Sequence, residues 1–133
     1  MIGVRRAVRE GVAVNYRDGF GDTGLHWACD RGHLSLVREL LGVPGLDVNS
    51  VNINGWTPLM FACSTSSENG PGLVQELLQF PGLTSLNTRD RLGHTAIMWA
   101  VYRGYWRTVE LLRDTPGLDM ETGRGESLVE MAR

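Results

Sequence analysis

Gly55-Trp56-Thr57-Pro58-Leu59-Met60-Phe61-Ala62-Cys63 decides the fold, because the chain carries the same pattern on either side of it. It aligns with Gly21-Asp22-Thr23-Gly24-Leu25-His26-Trp27-Ala28-Cys29, 34 residues earlier, and with Gly93-His94-Thr95-Ala96-Ile97-Met98-Trp99-Ala100-Val101, 38 residues later. A weaker copy, Gly125-Glu126-Ser127-Leu128-Val129-Glu130-Met131-Ala132, follows after a further 32. A second block recurs downstream of each complete copy: Val37-Arg38-Glu39-Leu40-Leu41, Val74-Gln75-Glu76-Leu77-Leu78 and Val109-Glu110-Leu111-Leu112. Val4-Arg5-Arg6-Ala7-Val8 supplies that block once more, ahead of the first unit. Such a period describes a row of like units, none of which can bury its apolar face alone.

Each block has a local physical reading. Thr23, Thr57, Thr95 and Ser127 stand where a hydroxyl caps the free N–H groups of a helix, and Pro58 takes a first-turn slot where a missing N–H costs nothing. Gly32 and Gly104 end this first helix by permitting a left-handed residue, and the Val-x-x-Leu spacing gives a second helix with one apolar stripe. Pro44-Gly45, Pro81-Gly82 and Pro116-Gly117 then stop the second helix. Turn-forming residues follow, as in Asp47-Val48-Asn49 and Asn52-Ile53-Asn54-Gly55, and predict a hairpin-like connection to the next unit.

Composition agrees with a folded chain. The 133 residues are 42% hydrophobic, with net charge −2 from 13 Arg, no Lys and 15 acids. Seventeen glycines would suit disorder or collagen, but they keep no three-residue period and most fall at the unit boundaries just described. The balanced charge leaves no footprint for nucleic acid. Arg5, Arg6 and Arg9 interrupt any signal-peptide core, and no stretch approaches the roughly 18 apolar residues of a membrane span. The expectation is an intracellular protein, cytoplasmic or nuclear, with Cys29 and Cys63 as reduced thiols.

A helix pair of about 33 residues with a β-turn and a T-P-L-H-x-A core is similar to the ankyrin repeat. The chain resembles that family over essentially its whole length. The resemblance implies an all-α solenoid of stacked helix-turn-helix units joined by β-hairpin-like turns: an N-terminal half-unit (1–17), three units (18–51, 52–89, 90–121) and a truncated C-terminal unit (122–133). Gly24 and Ala96 replace the usual proline, and Met60 and Met98 the usual histidine, so His26 alone can make the hairpin hydrogen bonds of the family's histidine. The middle unit carries an extended Ser64-Thr65-Ser66-Ser67-Glu68-Asn69-Gly70-Pro71-Gly72 between its helices, about three residues longer than its neighbours.

Several constellations imitate chemistry. Gly19-Phe20-Gly21-Asp22-Thr23-Gly24 fits G-x-G-x-x-G but has no βαβ unit around it and coincides with a unit hairpin. His26 and Cys29 share a helical face, with Cys63 one unit away, but a third and fourth metal ligand are missing at any recognised spacing, so no metal or other cofactor is expected. No nucleophile motif occurs, and an enzyme is not expected. Trp27, Phe61, Trp99 and Met131 occupy one repeated slot, which reads as core packing between units or else as an apolar groove. Trp56 shares its slot with Asp22, His94 and Glu126, so the scaffold does not require an aromatic there. It is either a binding hot spot or a surface ring packed on the next hairpin.

The resemblance implies a non-catalytic scaffold that binds another protein through a concave face of hairpins and first helices. Carried over position by position, the contact residues are Phe20, Asp22, Asp30 and Arg31 in the first unit. They are Ile53, Trp56, Ser64 and Thr65 in the second, and Arg91, Leu92, His94, Tyr102 and Arg103 in the third. This mix of aromatic, Arg and apolar residues suits a protein partner. Asn49 resembles the hairpin asparagine that asparaginyl hydroxylases modify in this family. An alternative is a segment of a longer repeat array with a spacing or self-association role. Arg-rich residues 1–20 and acid-rich residues 110–133 would favour weak head-to-tail contact.

Overall fold

The computed structural model describes residues 13–119. The half-unit at Val4–Glu10, the fourth copy after 122 and parts of both charged ends (1–12 and 120–133) lie outside these residues. Six helices follow in order: α1 (Gly24–Arg31), α2 (Leu34–Leu41), α3 (Pro58–Ser64), α4 (Gly70–Gln79), α5 (Ala96–Arg103) and α6 (Trp106–Arg113). No strand occurs among the described residues. α1 pairs with α2, α3 with α4 and α5 with α6. Inner helices α1, α3 and α5 then stack in one row, and outer helices α2, α4 and α6 in a second.

The starts and stops follow from single residues. Thr23, Thr57 and Thr95 hold extended backbone at the N-caps of the inner helices, and the Thr57 hydroxyl accepts from the Met60 N–H at 3.2 Å. Gly32 and Gly104 both adopt φ 73°, closing α1 and α5 with their N–H groups returned to the last-turn carbonyls. The outer helices end at Leu41, Gln79 and Arg113, two or three residues ahead of Pro44, Pro81 and Pro116. In the middle unit, α4 opens on Gly70 with Pro71 in its first turn, so the inter-helix segment is 65–69 rather than the longer run expected from sequence.

Side-chain period decides what is buried. At about 100° per residue, positions 25, 26, 28 and 29 share one face of α1, and Leu25, His26, Ala28 and Cys29 are all at 1% exposure or less. Leu59, Met60, Ala62 and Cys63 repeat the pattern in α3, and Ile97, Met98, Ala100 and Val101 in α5. The small Ala and Cys residues let the inner helices approach closely, while Leu36, Val37, Leu40, Leu73, Val74, Leu77 and Leu112 fill the layer between inner and outer rows. Cys29 and Cys63 are buried and free, and burial pushes both thiols well above the ordinary cysteine range.

The same period corrects one expectation. Trp27 points away from the buried face and is 45% exposed, and Phe61 and Trp99 are only half-buried. Phe61 and Trp99 still pack against the core, so the shared slot is its partly covered rim rather than its interior. It is a surface row on the inner-helix side, and Met131 lies outside the described residues.

Candidate protein-binding face

Hairpins between units are built around three acceptor side chains. Asp18 Oδ1 accepts from the Phe20 and Asp22 N–H groups, Asn52 Oδ1 from Asn54 and Trp56, and Asp90 Oδ1 from Leu92 and His94, all between 2.9 and 3.0 Å. Each replaces a turn's missing backbone partner with its own oxygen. The tips are then joined across units: Ile53 N–H donates to the Phe20 carbonyl at 3.0 Å and Arg91 N–H to the Asn54 carbonyl at 3.1 Å.

Two of the three acceptors have a second task. The remaining oxygen of Asp18 accepts from the Trp27 indole N–H at 3.0 Å, and that of Asp90 from Trp99 at 2.9 Å. The indole donor is the main reason the Asp18 carboxyl titrates below its ordinary value. In the middle unit the pair is Asn52 and Phe61, an amide and a ring without a donor, so the correspondence of acid with indole is kept unit by unit. Asn52 instead donates its Nδ2 to Asp22 at 2.9 Å.

An aromatic surface runs across the inner helices. Trp56 lies between Phe61 and Trp99, with ring centroids at 4.9 and 4.8 Å, and Trp99 continues to His94 and Tyr102 at 5.1 and 6.1 Å. The Trp27 ring carries the Arg31 guanidinium at 5.3 Å. Trp56 thus packs on the inner helix of the next unit rather than on the next hairpin, and it remains half-exposed on this surface.

The residues assigned to partner contact divide into three groups. Phe20, Ile53, Leu92 and Tyr102 are open to solvent, at 64, 50, 73 and 54%, together with Asp30, Arg31, Arg91 and Arg103. Asp22, Trp56 and His94 are half-buried. Ser64 and Thr65, by contrast, are buried, and the Thr65 hydroxyl donates to the Asp30 carbonyl at 2.9 Å while accepting from the Ser67 N–H. Small residues here leave a cavity of about 270 Å³, lined by Asp30, Trp56, Phe61, Ser64, Thr65, Ser66 and Arg103.

His26 connects the first two units. Its Nδ1 accepts from the Thr23 N–H at 3.0 Å, so the proton sits on Nε2, which donates to the Trp56 carbonyl at 3.0 Å. Met98, one of the two methionines in the equivalent slot, offers only its sulfur to the Thr95 N–H, at 3.5 Å. Burial is the largest influence on His26 and lowers its pKa from 6.5. The unfolded chain then binds a proton below pH 6.5 that the folded chain resists, so stability falls as the pH drops through and below that value. Urea midpoints at pH 7.5 and 5.0 measure this decline, and His26→Gln should remove much of the slope.

Asn49, singled out from the sequence only for a resemblance, is the middle of a set of three with Asn15 and Asn87, which sequence reasoning passed over. Their Nδ2 groups donate to the Gly45, Gly82 and Gly117 carbonyls at 2.8–2.9 Å. Their Oδ1 atoms accept from Asp47 N–H, from Thr84 N–H and the Ser85 hydroxyl, and from Asp119 N–H. The signal was present, since these asparagines fall at the same offsets of 34 and 38 as the quoted blocks. Among the described residues no three His, Cys, Asp or Glu side chains gather as a metal site, and no helix is long and apolar enough to cross a membrane.

Comparison with known proteins agrees with this architecture. A family model described as ankyrin repeats (3 copies) matches residues 3–70 and 25–124. The chain is 38% identical over 95 residues, 70% of its length, to an ankyrin repeat protein of Escherichia coli (strain K12), YahD. It is 38% identical over 112 residues, 82% of its length, to human ankyrin repeat domain-containing protein 63. It is 34% identical over 110 residues, 80% of its length, to human SMC5-SMC6 complex localization factor protein 1. It spans 46, 28 and 10% of the lengths of these three relatives. Helix pairs, hairpins and matched sequence together place the chain in the ankyrin repeat family.

Proposed function

We propose that this chain is a non-catalytic binding module that holds a partner protein against its hairpin tips and inner helices. The observation that carries the reading is the continuous run of rings from Phe61 through Trp56 and Trp99 to Tyr102. Arg103 lines one cavity with Trp56 and Phe61, and Arg31 stands over the Trp27 ring, both exposed. Aromatic and Arg side chains supply most of the energy at protein interfaces, because they bury large area for few lost rotamers and keep a polar end for orientation. Repeat proteins suit this task, since each unit adds side chains to one extended surface while the stack behind it stays the same.

The test is partner capture by wild type and by a Trp56→Ala, Tyr102→Ala, Arg103→Ala variant, each first shown by circular dichroism to keep its helix content. Loss of hot-spot residues should weaken binding at least about tenfold. Undiminished capture by the folded variant overturns the assignment of this face.

A further inference from the structure

The middle unit departs from its neighbours where the inner helix ends. The first and third units place Asp30-Arg31 and Tyr102-Arg103 there, all four exposed, whereas the equivalent Ser64 and Thr65 are small and buried. The resulting notch of about 270 Å³ has Trp56 and Phe61 as its apolar floor. Its lining includes residues of opposite charge, Asp30 from the first unit and Arg103 from the third.

These are the two charged residues that line the notch, and neither is committed elsewhere. Asp18 and Asp90 are occupied by turn N–H groups and an indole, and Asp22 by Asn52. Among the described residues Arg103 makes no ion pair. Asp30 meets only Arg31, at 3.9 Å and with both side chains at least half exposed, which is a weak tie. The Arg31 guanidinium is also engaged over the Trp27 ring.

We propose that the notch reads the charge order of an extended partner segment: a bulky apolar side chain enters over Trp56 and Phe61, with a cation on the Asp30 side and an anion on the Arg103 side. The inference rests on the reading of this face as protein-binding and adds the chemistry of the ligand. A uniformly acidic segment would set an anion against Asp30, and a uniformly basic one a cation against Arg103. Selectivity comes as much from these repulsions as from the pairs themselves.

Fluorescein-labelled decapeptides with the central sequences Arg-Thr-Leu-Thr-Glu, Arg-Thr-Leu-Thr-Arg and Glu-Thr-Leu-Thr-Glu test this by anisotropy. Alternate residues of an extended chain share a face, so all three lettered groups can meet the notch together. Wild type should bind the mixed peptide about threefold more tightly than either uniform one, the scale of one exposed ion pair. Asp30→Arg should move the preference to the acidic peptide, and Arg103→Glu to the basic one. Equal binding of all three, absence of binding, or preferences that the two variants leave unchanged overturns the proposal. The parent reading is tested separately: undiminished partner capture by the folded triple variant removes the face, whereas loss of capture with indifference to peptide charge leaves the face standing and removes only the charge order.

Discussion

Leu59→Ala is expected to lower the free energy of unfolding by about 3 kcal/mol, measured by urea titration with tryptophan fluorescence. Leu59 is fully buried in α3, the helix that packs on α1, α5 and α4 at once. Truncation removes methyl groups from that junction and leaves a void that neither neighbour can close, since each is fixed by its own hairpin. The position matters as much as the volume. Stability in a repeat stack sums unit terms and interface terms, and α3 belongs to both interfaces between the three units. A loss below about 1 kcal/mol would mean that the inner-helix layer does not carry the fold as its burial implies.

Gly32→Ala and Gly104→Ala should differ although their backbones match. Both glycines have φ 73°, so an added Cβ costs about 1 kcal/mol at either site from the left-handed conformation alone. At Gly104 nothing lies within 4 Å of that Cβ. At Gly32 it would fall 2.2 Å from the Ser67 hydroxyl and 2.3 Å from its Cβ. Ser67 has little room to yield, because its hydroxyl accepts from Asn69 N–H and its own N–H donates to Thr65. Asn69 in turn donates to the Gly32 carbonyl at 3.0 Å. We expect Gly32→Ala to cost about 3 kcal/mol and Gly104→Ala about 1 kcal/mol in urea titration. Equal costs would show that the extended segment 65–69 is not seated on the first unit.

Much of this architecture is legible from the letters. Repeated Thr at the helix starts, Gly at φ 73° and Pro after the outer helices each act through backbone geometry within a few residues, which sequence displays directly. His26 was also readable, because its partners lie at a fixed distance along a known unit. Trp27 was left open between core and groove for a rotational reason: it stands next to fully buried Ala28, but one residue is about 100° of helix, and that angle takes it from core to surface. The notch was not legible at all. It arises from the difference between Ser64-Thr65 and the longer side chains of two other units, brought alongside only by stacking. Asn15 and Asn87 were overlooked as companions of Asn49 because a single-letter ladder does not stand out beside a nine-residue block.

The bonds between hairpin tips have a consequence for how this surface can change. Ile53 N–H to Phe20 carbonyl and Arg91 N–H to Asn54 carbonyl are main-chain contacts, and the side chains at 20, 53, 54 and 91 all face solvent. Every residue but proline supplies the same N–H and carbonyl. The tips are thus free to exchange side chains while the seam between units stays closed. Novelty in recognition and cohesion of the stack are written in different parts of the same residues, so a lineage can explore new partners there without first securing extra stability elsewhere.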